Sequence, residues 1–303
     1  MYNLHVELTS KCTLECPLCD RTWFYKKFKK RLIHQIDTSA LLKFIGSNKE
    51  LYLCGNNGDP IYHPNFLRIC KELKQKNNSL IIVTNGSARK LKFWSLLSEI
   101  LKEEDEIQFS IDGLENTNHL YRKNSNWIQI MQGVNIMAKS MAKMTWKFIV
   151  FKHNQHQIDE AKKLSEDLGF KKFILIASDR WNNETDLMPD ASYMDESKKK
   201  KLEIVSNNLT EKLTMKPKCI KNNKPVSGLY IDSEGNFYPC CWMGTYRYKH
   251  KSIFNPKYSR FNIKNNTLDD ILSQKSVDDF FDSTKQFTSA HNCCKIQCGV
   301  KNG

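Results

Sequence analysis

No apolar run in the sequence approaches the roughly 20 residues needed to cross a bilayer. No charged-then-apolar leader precedes its first strand-like segment either. These absences predict a cytoplasmic protein without a membrane span. No internal repeat or low-complexity domain is present. Acidic residues are in short supply, with 33 Asp and Glu against 47 Lys and Arg, for a formal charge of +14. An anionic partner such as nucleic acid, an acidic peptide or a phosphorylated substrate would account for that excess, as would a Lys- and Asn-rich composition with no binding role. The densest basic stretch, Lys26-Lys27-Phe28-Lys29-Lys30-Arg31, follows Trp23, Phe24 and Tyr25. It is the best candidate for contact with an anionic partner and otherwise reads as a solvated loop.

What the chain does have is cysteine, eleven in 303 residues, clustered toward the two ends. In a cytoplasmic chain, where thiols are kept reduced, an odd and clustered set argues for metal ligation over a disulfide framework. The length is ample for one large domain plus a smaller one.

From residue 3 to about 177, strand-like runs alternate with helical periodicity. The runs are 3–8, 50–54, 79–84, 106–111, 145–150 and 172–177. Six strands separated by helices imply a parallel sheet with crossover connections, an α/β fold that reads as a partial (βα)6 TIM-like barrel. Asp37 is placed to cap a helix over Ser39–Ile45 that Gly46 ends. Asn154 and Gln157 form a capping-box pattern ahead of a helix over Ile158–Leu168, closed by Gly169. Residues 181–215 read as a polar linker, with Asn182-Asn183-Glu184 and Lys198–Lys201, and a helix over Leu202–Leu213. The expected division is a core over 1–180, this linker, and a small C-terminal α+β domain over 216–303.

Directly after the first strand come Cys12, Cys16 and Cys19, spaced C-x3-C-x2-C. Three thiolates cannot complete a tetrahedral zinc site alone, but they can hold three irons of a [4Fe-4S] cluster and leave the fourth open. With Leu18 before the third cysteine, the motif resembles the C-x3-C-x-Φ-C signature of the radical S-adenosylmethionine (SAM) enzymes. That family's core is the same partial barrel, with its chemistry at the C-terminal ends of the strands. There, Gly55-Asn56-Asn57-Gly58-Asp59-Pro60 resembles the family's "GGEP" segment, with Asp59 replacing Glu. The resemblance implies that Asn57, Gly58 and Asp59 receive the amino group of SAM; read alone, the string is turn chemistry. Ser110-Ile111-Asp112-Gly113 is similar to the "SxDG" of relatives with auxiliary clusters, which makes Ser110 a ribose or carboxylate contact. Arg122 stands where that subgroup carries an arginine for the SAM carboxylate, a task suited to a planar guanidinium. Cys54 reads as a small buried hydrophobe, with hydrogen-atom donation to a substrate radical as its functional alternative. His153 and His156 read as solvent-facing.

Cys219, Cys240, Cys241, Cys293, Cys294 and Cys298 make a second set, and Gly228–Pro239 between them reads as a hairpin. The spacing C-x15-G-x4-C with terminal cysteines resembles the SPASM/Twitch extension of radical SAM enzymes. The internal C-x2-C-x5-C-x3-C run of the full pattern is missing, so the likeness is to the single-cluster form. It implies Cys219, Cys240, Cys294 and Cys298 as ligands of an auxiliary [4Fe-4S] cluster. G-x4-C selects Cys240 over Cys241, and C-x3-C favours Cys294 over Cys293. Four thiolates would also serve zinc.

As the resemblance implies, SAM bound at the first cluster is reductively cleaved to a 5′-deoxyadenosyl radical that takes a substrate hydrogen, with the auxiliary cluster as electron relay. The implied partners are a peptide, protein or small-metabolite substrate and an electron donor such as a flavodoxin or ferredoxin. The chain starts at the first strand, which weighs against a peptide-recognition domain. The alternative from another class is a non-catalytic iron–sulfur or zinc protein that binds nucleic acid through its basic surface.

Overall fold

A computed structural model describes residues 3–178, 185–194, 213–217, 219–221, 224–225, 227–245, 253–254 and 260–301. Six parallel strands form its centre: β1 (Asn3–Val6), β2 (Glu50–Leu53), β3 (Ser79–Thr84), β4 (Glu106–Ser110), β5 (Lys143–Ile149) and β6 (Lys172–Ile176), paired in sequence order. Between them run α1 (Asp20–Phe28), α2 (Thr38–Phe44), α3 (Phe66–Gln75), α4 (Leu91–Ile100), α5 (Asn118–Tyr121), α6 (Trp127–Met137) and α7 (Ile158–Asp167). The six-unit partial barrel expected from the sequence is therefore present.

Alternation along the strands divides the molecule into a shell and a lumen. Leu4, Val6, Leu51, Leu53, Leu80, Ile82, Ile107, Phe109, Met144, Trp146 and Phe148 are buried in the same core as Leu41, Phe66, Ile69, Trp94, Leu97, Ile130 and Val134 of the helices. Each such side chain contributes about 1.5–3 kcal/mol. Several intervening positions are polar and meet one another: Tyr52 donates to Gln108 Oε1 at 3.2 Å and accepts from Lys147 Nζ at 3.2 Å.

The C-terminal part adds β7 (Leu213–Met215), β8 (Ile220–Lys221), β9 (Lys224–Pro225), β10 (Ser227–Ile231), β11 (Phe237–Tyr238), α8 (Leu268–Leu272), α9 (Lys275–Ser283), α10 (Asn292–Cys298) and β12 (Gly299–Lys301). The expected hairpin is β10 and β11, turning at Gly235 with φ +84°. β10 pairs parallel with β1, so the barrel sheet runs on into the C-terminal segment in the order β11-β10-β1-β2-β3-β4-β5-β6. The antiparallel pair β7 and β12 returns the end of the described chain to its C-terminal entry point.

Several local expectations are corrected. Lys26, Lys27 and Phe28 lie in α1, not in a loop. Asp37 does cap α2, accepting from Ala40 N at 2.7 Å, but that helix ends at Phe44 with Ile45 already extended, so Gly46 is not its stop. Asn154 does not cap α7; its carbonyl accepts from Phe151 N and its amide donates to the Asp112 and Ile149 carbonyls, tying the ends of β4 and β5 together. Gln157 reaches Thr117 and Asn116 instead. Gly169, at φ +83°, does follow the end of α7. His153 is half-buried, stacked on Phe151 at 5.4 Å. Asn182-Asn183-Glu184, Lys198–Lys201 and the helix expected over 202–212 lie outside the described residues, and Leu213 opens β7.

Candidate active site

The loop carrying Cys12, Cys16 and Cys19 leaves β1 by way of Leu8, Thr9 and Ser10. That segment is clamped by Ile36 N to Leu8 O and Ser10 N to His34 O, both at 3.0 Å. Within the loop, Leu14 N donates to Cys12 Sγ at 3.4 Å and Cys19 N to Cys16 O at 3.1 Å. Arg21 donates to the Leu14 carbonyl, and Lys123 O receives Glu15 N at 3.0 Å. Cys19 is the residue before α1, and Leu18 is buried with Tyr121 and Phe151, anchoring the loop between Cys16 and Cys19. All three thiols line one cavity of about 180 Å³, shared with residues 54–59, Val83, Thr84, Asn85, Ser110 and Arg122.

The second wall is the segment after β2, held by a residue that sequence reasoning passed over. Glu7, 1% exposed, accepts from Asn57 N at 2.7 Å and Gly58 N at 3.1 Å on one oxygen. Its other oxygen takes the Tyr230 hydroxyl at 2.7 Å. Burial pushes the Glu7 carboxyl above its ordinary range, against the pull of these hydrogen bonds. Gly58 lies so close to the cysteine loop that a Cβ there would sit 1.9 Å from Thr9 O; at Gly55 it would sit 2.5 Å from Gly58 O. Asp59 N completes the seam by donating to Lys11 O at 2.9 Å.

The Asp59 carboxylate is turned toward the end of β3. It accepts from Thr84 Oγ1 at 3.0 Å, Asn85 N at 2.7 Å, Asn85 Nδ2 at 2.5 Å and Ile61 N at 3.2 Å. Burial raises it to about 6, opposed by those donors. Asn85 also reaches Cys12 Sγ at 3.5 Å, so Asp59 positions a side chain that touches the thiol. Asn57 Oδ1 is buried with no hydrogen-bond partner among the described residues. On the opposite wall, Arg122 Nε pairs with the fully buried Asp112 at 2.7 Å, and Asp112 in turn accepts from Ile149 N at 2.7 Å. Burial opposes the Arg122 charge, but Asp112 and Cys16 more than reverse that effect and raise its pKa. Ser110 and Cys54 line the cavity as well, and burial pushes the Cys54 thiol up to about 12.

Burial also raises Cys12 and Cys16 to about 12, so without a metal these thiols hold their protons; ligation would release them. Among the described residues, no three His, Cys, Asp or Glu side chains converge as on a single ion, where thiolate sulfurs would sit roughly 3.8 Å apart for 2.3 Å bonds. Cys12, Cys16 and Cys19 nevertheless line one cavity, and soft thiolates are the donors an iron–sulfur cluster takes.

The second cysteine set is gathered by the β7–β12 pairing, in which Lys216 N donates to Cys298 O at 2.8 Å. That brings Cys219 near Cys298, with Cys293 and Cys294 on the preceding helix α10. The Cys294 thiol is raised by burial and then by the neighbouring thiols of Cys240, Cys219 and Cys298; Cys293 is raised by burial, Cys240, Cys294 and Cys298. Burial takes Cys219 and Cys240 to about 12. Asn56, in the segment after β2, donates to Cys241 O at 2.8 Å, so both cysteine sets border one segment.

A parallel partial barrel carries three thiols in one cavity beyond the end of β1, with a second thiol group bordering the same segment after β2. The chain belongs to the radical SAM superfamily, whose model matches residues 6–165; an iron–sulfur cluster-binding domain of the SPASM type matches residues 219–299. Those two domains imply a SAM-binding [4Fe-4S] cluster and auxiliary iron–sulfur ligation. The chain is 27% identical over 169 residues to the pre-heme d1 synthase of Dinoroseobacter shibae (55% of this chain, 41% of that protein). It is 25% identical over 203 residues to the PqqA peptide cyclase of Methylorubrum extorquens (64% and 51%). It thus spans about half or less of the length of these relatives. Among solved structures, anSMEcpe with bound AdoMet superposes with a TM-score of 0.57 at 15% identity, covering 94% of this chain and 84% of that one. Streptococcus suis SuiB bound to precursor peptide SuiA gives 0.59 at 14% identity (91% and 65%). Both share the fold. No helix among the described residues is long and apolar enough to cross a membrane.

Proposed function

We propose that the chain is a SAM-cleaving enzyme that takes a hydrogen atom from a peptide, protein or small-metabolite substrate. Its working parts are a core over 1–180, a linker over 181–215 and an auxiliary cluster domain over 216–303. Cys12, Cys16 and Cys19 hold the first cluster, and Cys219, Cys240, Cys294 and Cys298 the second. When bound, the first cluster supplies the electron that splits the SAM sulfonium bond. The protein's part is placement. Asn57 and Gly58 present SAM's amino group with polar backbone and an unpartnered carbonyl oxygen, Arg122 with Ser110 offers donors on the opposite wall, and Asp59 fixes Asn85 against Cys12. Cys294 is favoured over Cys293 by its C-x3-C spacing with Cys298. The observation that carries the reading is the single cavity shared by the three thiols and the segment after β2, with Asn56 joining that segment to the second set.

The relatives' printed names include both a peptide cyclase and a heme-precursor synthase, which supports either substrate class. Anaerobic reconstitution tests the reading. About eight irons per chain are expected for two [4Fe-4S] clusters, and about four would remove the auxiliary cluster.

A further inference from the structure

Arg21 is the second residue of α1 and stands two beyond Cys19. It lines the thiol cavity with Cys12, Cys16 and Cys19, and it also lines a larger cavity, about 530 Å³, that shares Cys12 with the first. Nη2 donates to the Leu14 carbonyl, in the loop between Cys12 and Cys16. Nε is buried and has no hydrogen-bond partner among the described residues. A buried donor is ordinarily paired, so this one is held for something the protein's own groups do not supply. The thiol cavity has one other guanidinium, Arg122, and its Nε already faces Asp112 at 2.7 Å. Burial is the largest influence on the Cys12 and Cys16 thiols and pushes both up, while Arg21 is among the groups that pull each of them back.

We propose that Arg21 is a positioning residue for the first cluster, its Nε–H and fixed charge held for the sulfurs gathered by Cys12, Cys16 and Cys19, where they favour the reduced state from which SAM is cleaved. The proposal rests on those three cysteines holding the cluster. Reduction adds one electron and no proton, so the site becomes more negative by one charge. A guanidinium carries its charge permanently, and a cation with a donor beside the sulfurs stabilises the more negative state and raises the reduction potential. The Nη2 bond to Leu14 sets where the guanidinium stands, so one side chain both pins the cysteine loop and biases its charge.

The test is an EPR-monitored redox titration of the reconstituted full-length protein, reading the signal that SAM alters. Arg21→Gln should lower the ratio of reduced to oxidised first cluster about tenfold at a fixed solution potential, a shift of about 59 mV for one electron. Lys26→Gln removes a cation from the same helix that lines only the larger cavity, and it should leave the ratio within about twofold of wild type. Arg21→His makes the charge adjustable: between pH 5.5 and 8 its reduced fraction should fall about tenfold more than that of wild type. A residue that only clipped the loop would change iron content and leave the potential of loaded clusters where it was. Arg21→Gln clusters with the wild-type potential therefore overturn the proposal, as does an equal shift in Lys26→Gln. Should Arg21→Gln take up no iron, Arg21→His decides, and a potential that follows pH no more than wild type's overturns it. Wild-type protein with no SAM-sensitive signal overturns instead the assignment of the cluster to the three cysteines.

Discussion

Glu7→Ala removes one carboxylate and strands four donors at once: Asn57 N, Asn57 Nδ2, Gly58 N and the Tyr230 hydroxyl. A buried donor left without its acceptor costs about 1–3 kcal/mol. Partial relaxation of the segment after β2 brings the expected loss to about 3–5 kcal/mol, near the upper end for any single substitution. Glu7→Gln keeps a carbonyl oxygen toward the two backbone groups and offers its amide to the Tyr230 oxygen, so it should cost no more than about 1.5 kcal/mol. Tyr230→Phe removes the same link from the far side. Because Glu7 and Tyr230 touch, the two changes should be non-additive by about 1–3 kcal/mol in a double-mutant cycle. The assay is urea denaturation of the apo protein under anaerobic conditions, paired with calorimetric SAM binding to the reconstituted protein. Glu7→Ala should lose stability and SAM affinity together, because Glu7 positions the segment that forms the SAM wall. A Glu7→Ala protein as stable as wild type, or a cycle with no coupling, would refute the account of how the barrel is joined to the C-terminal hairpin.

Further outcomes concern two glycines and a histidine. Gly58→Ala should lose at least about 3 kcal/mol or fail to bind SAM, because its Cβ meets backbone at Thr9; Gly46→Ala, with nothing within 4 Å, should be neutral or slightly stabilising. His5 is lowered to about 4 by burial, so the unfolded chain protonates near pH 6.5 while the folded one does not. Its contribution is intact above pH 6.5 and is lost as pH falls toward 4, at about 1.4 kcal/mol per pH unit. His5→Gln should flatten that part of the urea stability profile, and an unchanged slope would show that His5 is not its source.

Features set by local chemistry were legible in the sequence. The six strands announce themselves by β-branched and aromatic runs, the hairpin by its Glu234-Gly235 turn, and the cysteine loop by its spacing. The pairing of β10 with β1 was not legible, because nothing in either run of residues specifies a partner more than 200 positions away. Glu7 was hidden for a related reason: in Val6-Glu7-Leu8 it looks like an ordinary polar position of an alternating strand, and its role depends on Tyr230. Asn154 shows how tertiary contacts override a local pattern, since its side chain stabilises more by satisfying the buried backbone of Asp112 and Ile149 than by capping α7. Lys26 and Lys27 were misread as loop because charge and aromatics obscure a helix that buries almost nothing.

The central claim, that three thiols at the mouth of the barrel hold the cluster at which SAM is cleaved, is tested most directly by 5′-deoxyadenosine formation. The reconstituted wild type should produce it under strong reductant. Protein with Cys12, Cys16 and Cys19 all changed to Ala should produce none while retaining about four irons at the second site. Deoxyadenosine from the triple variant, or none from the wild type, would contradict the account.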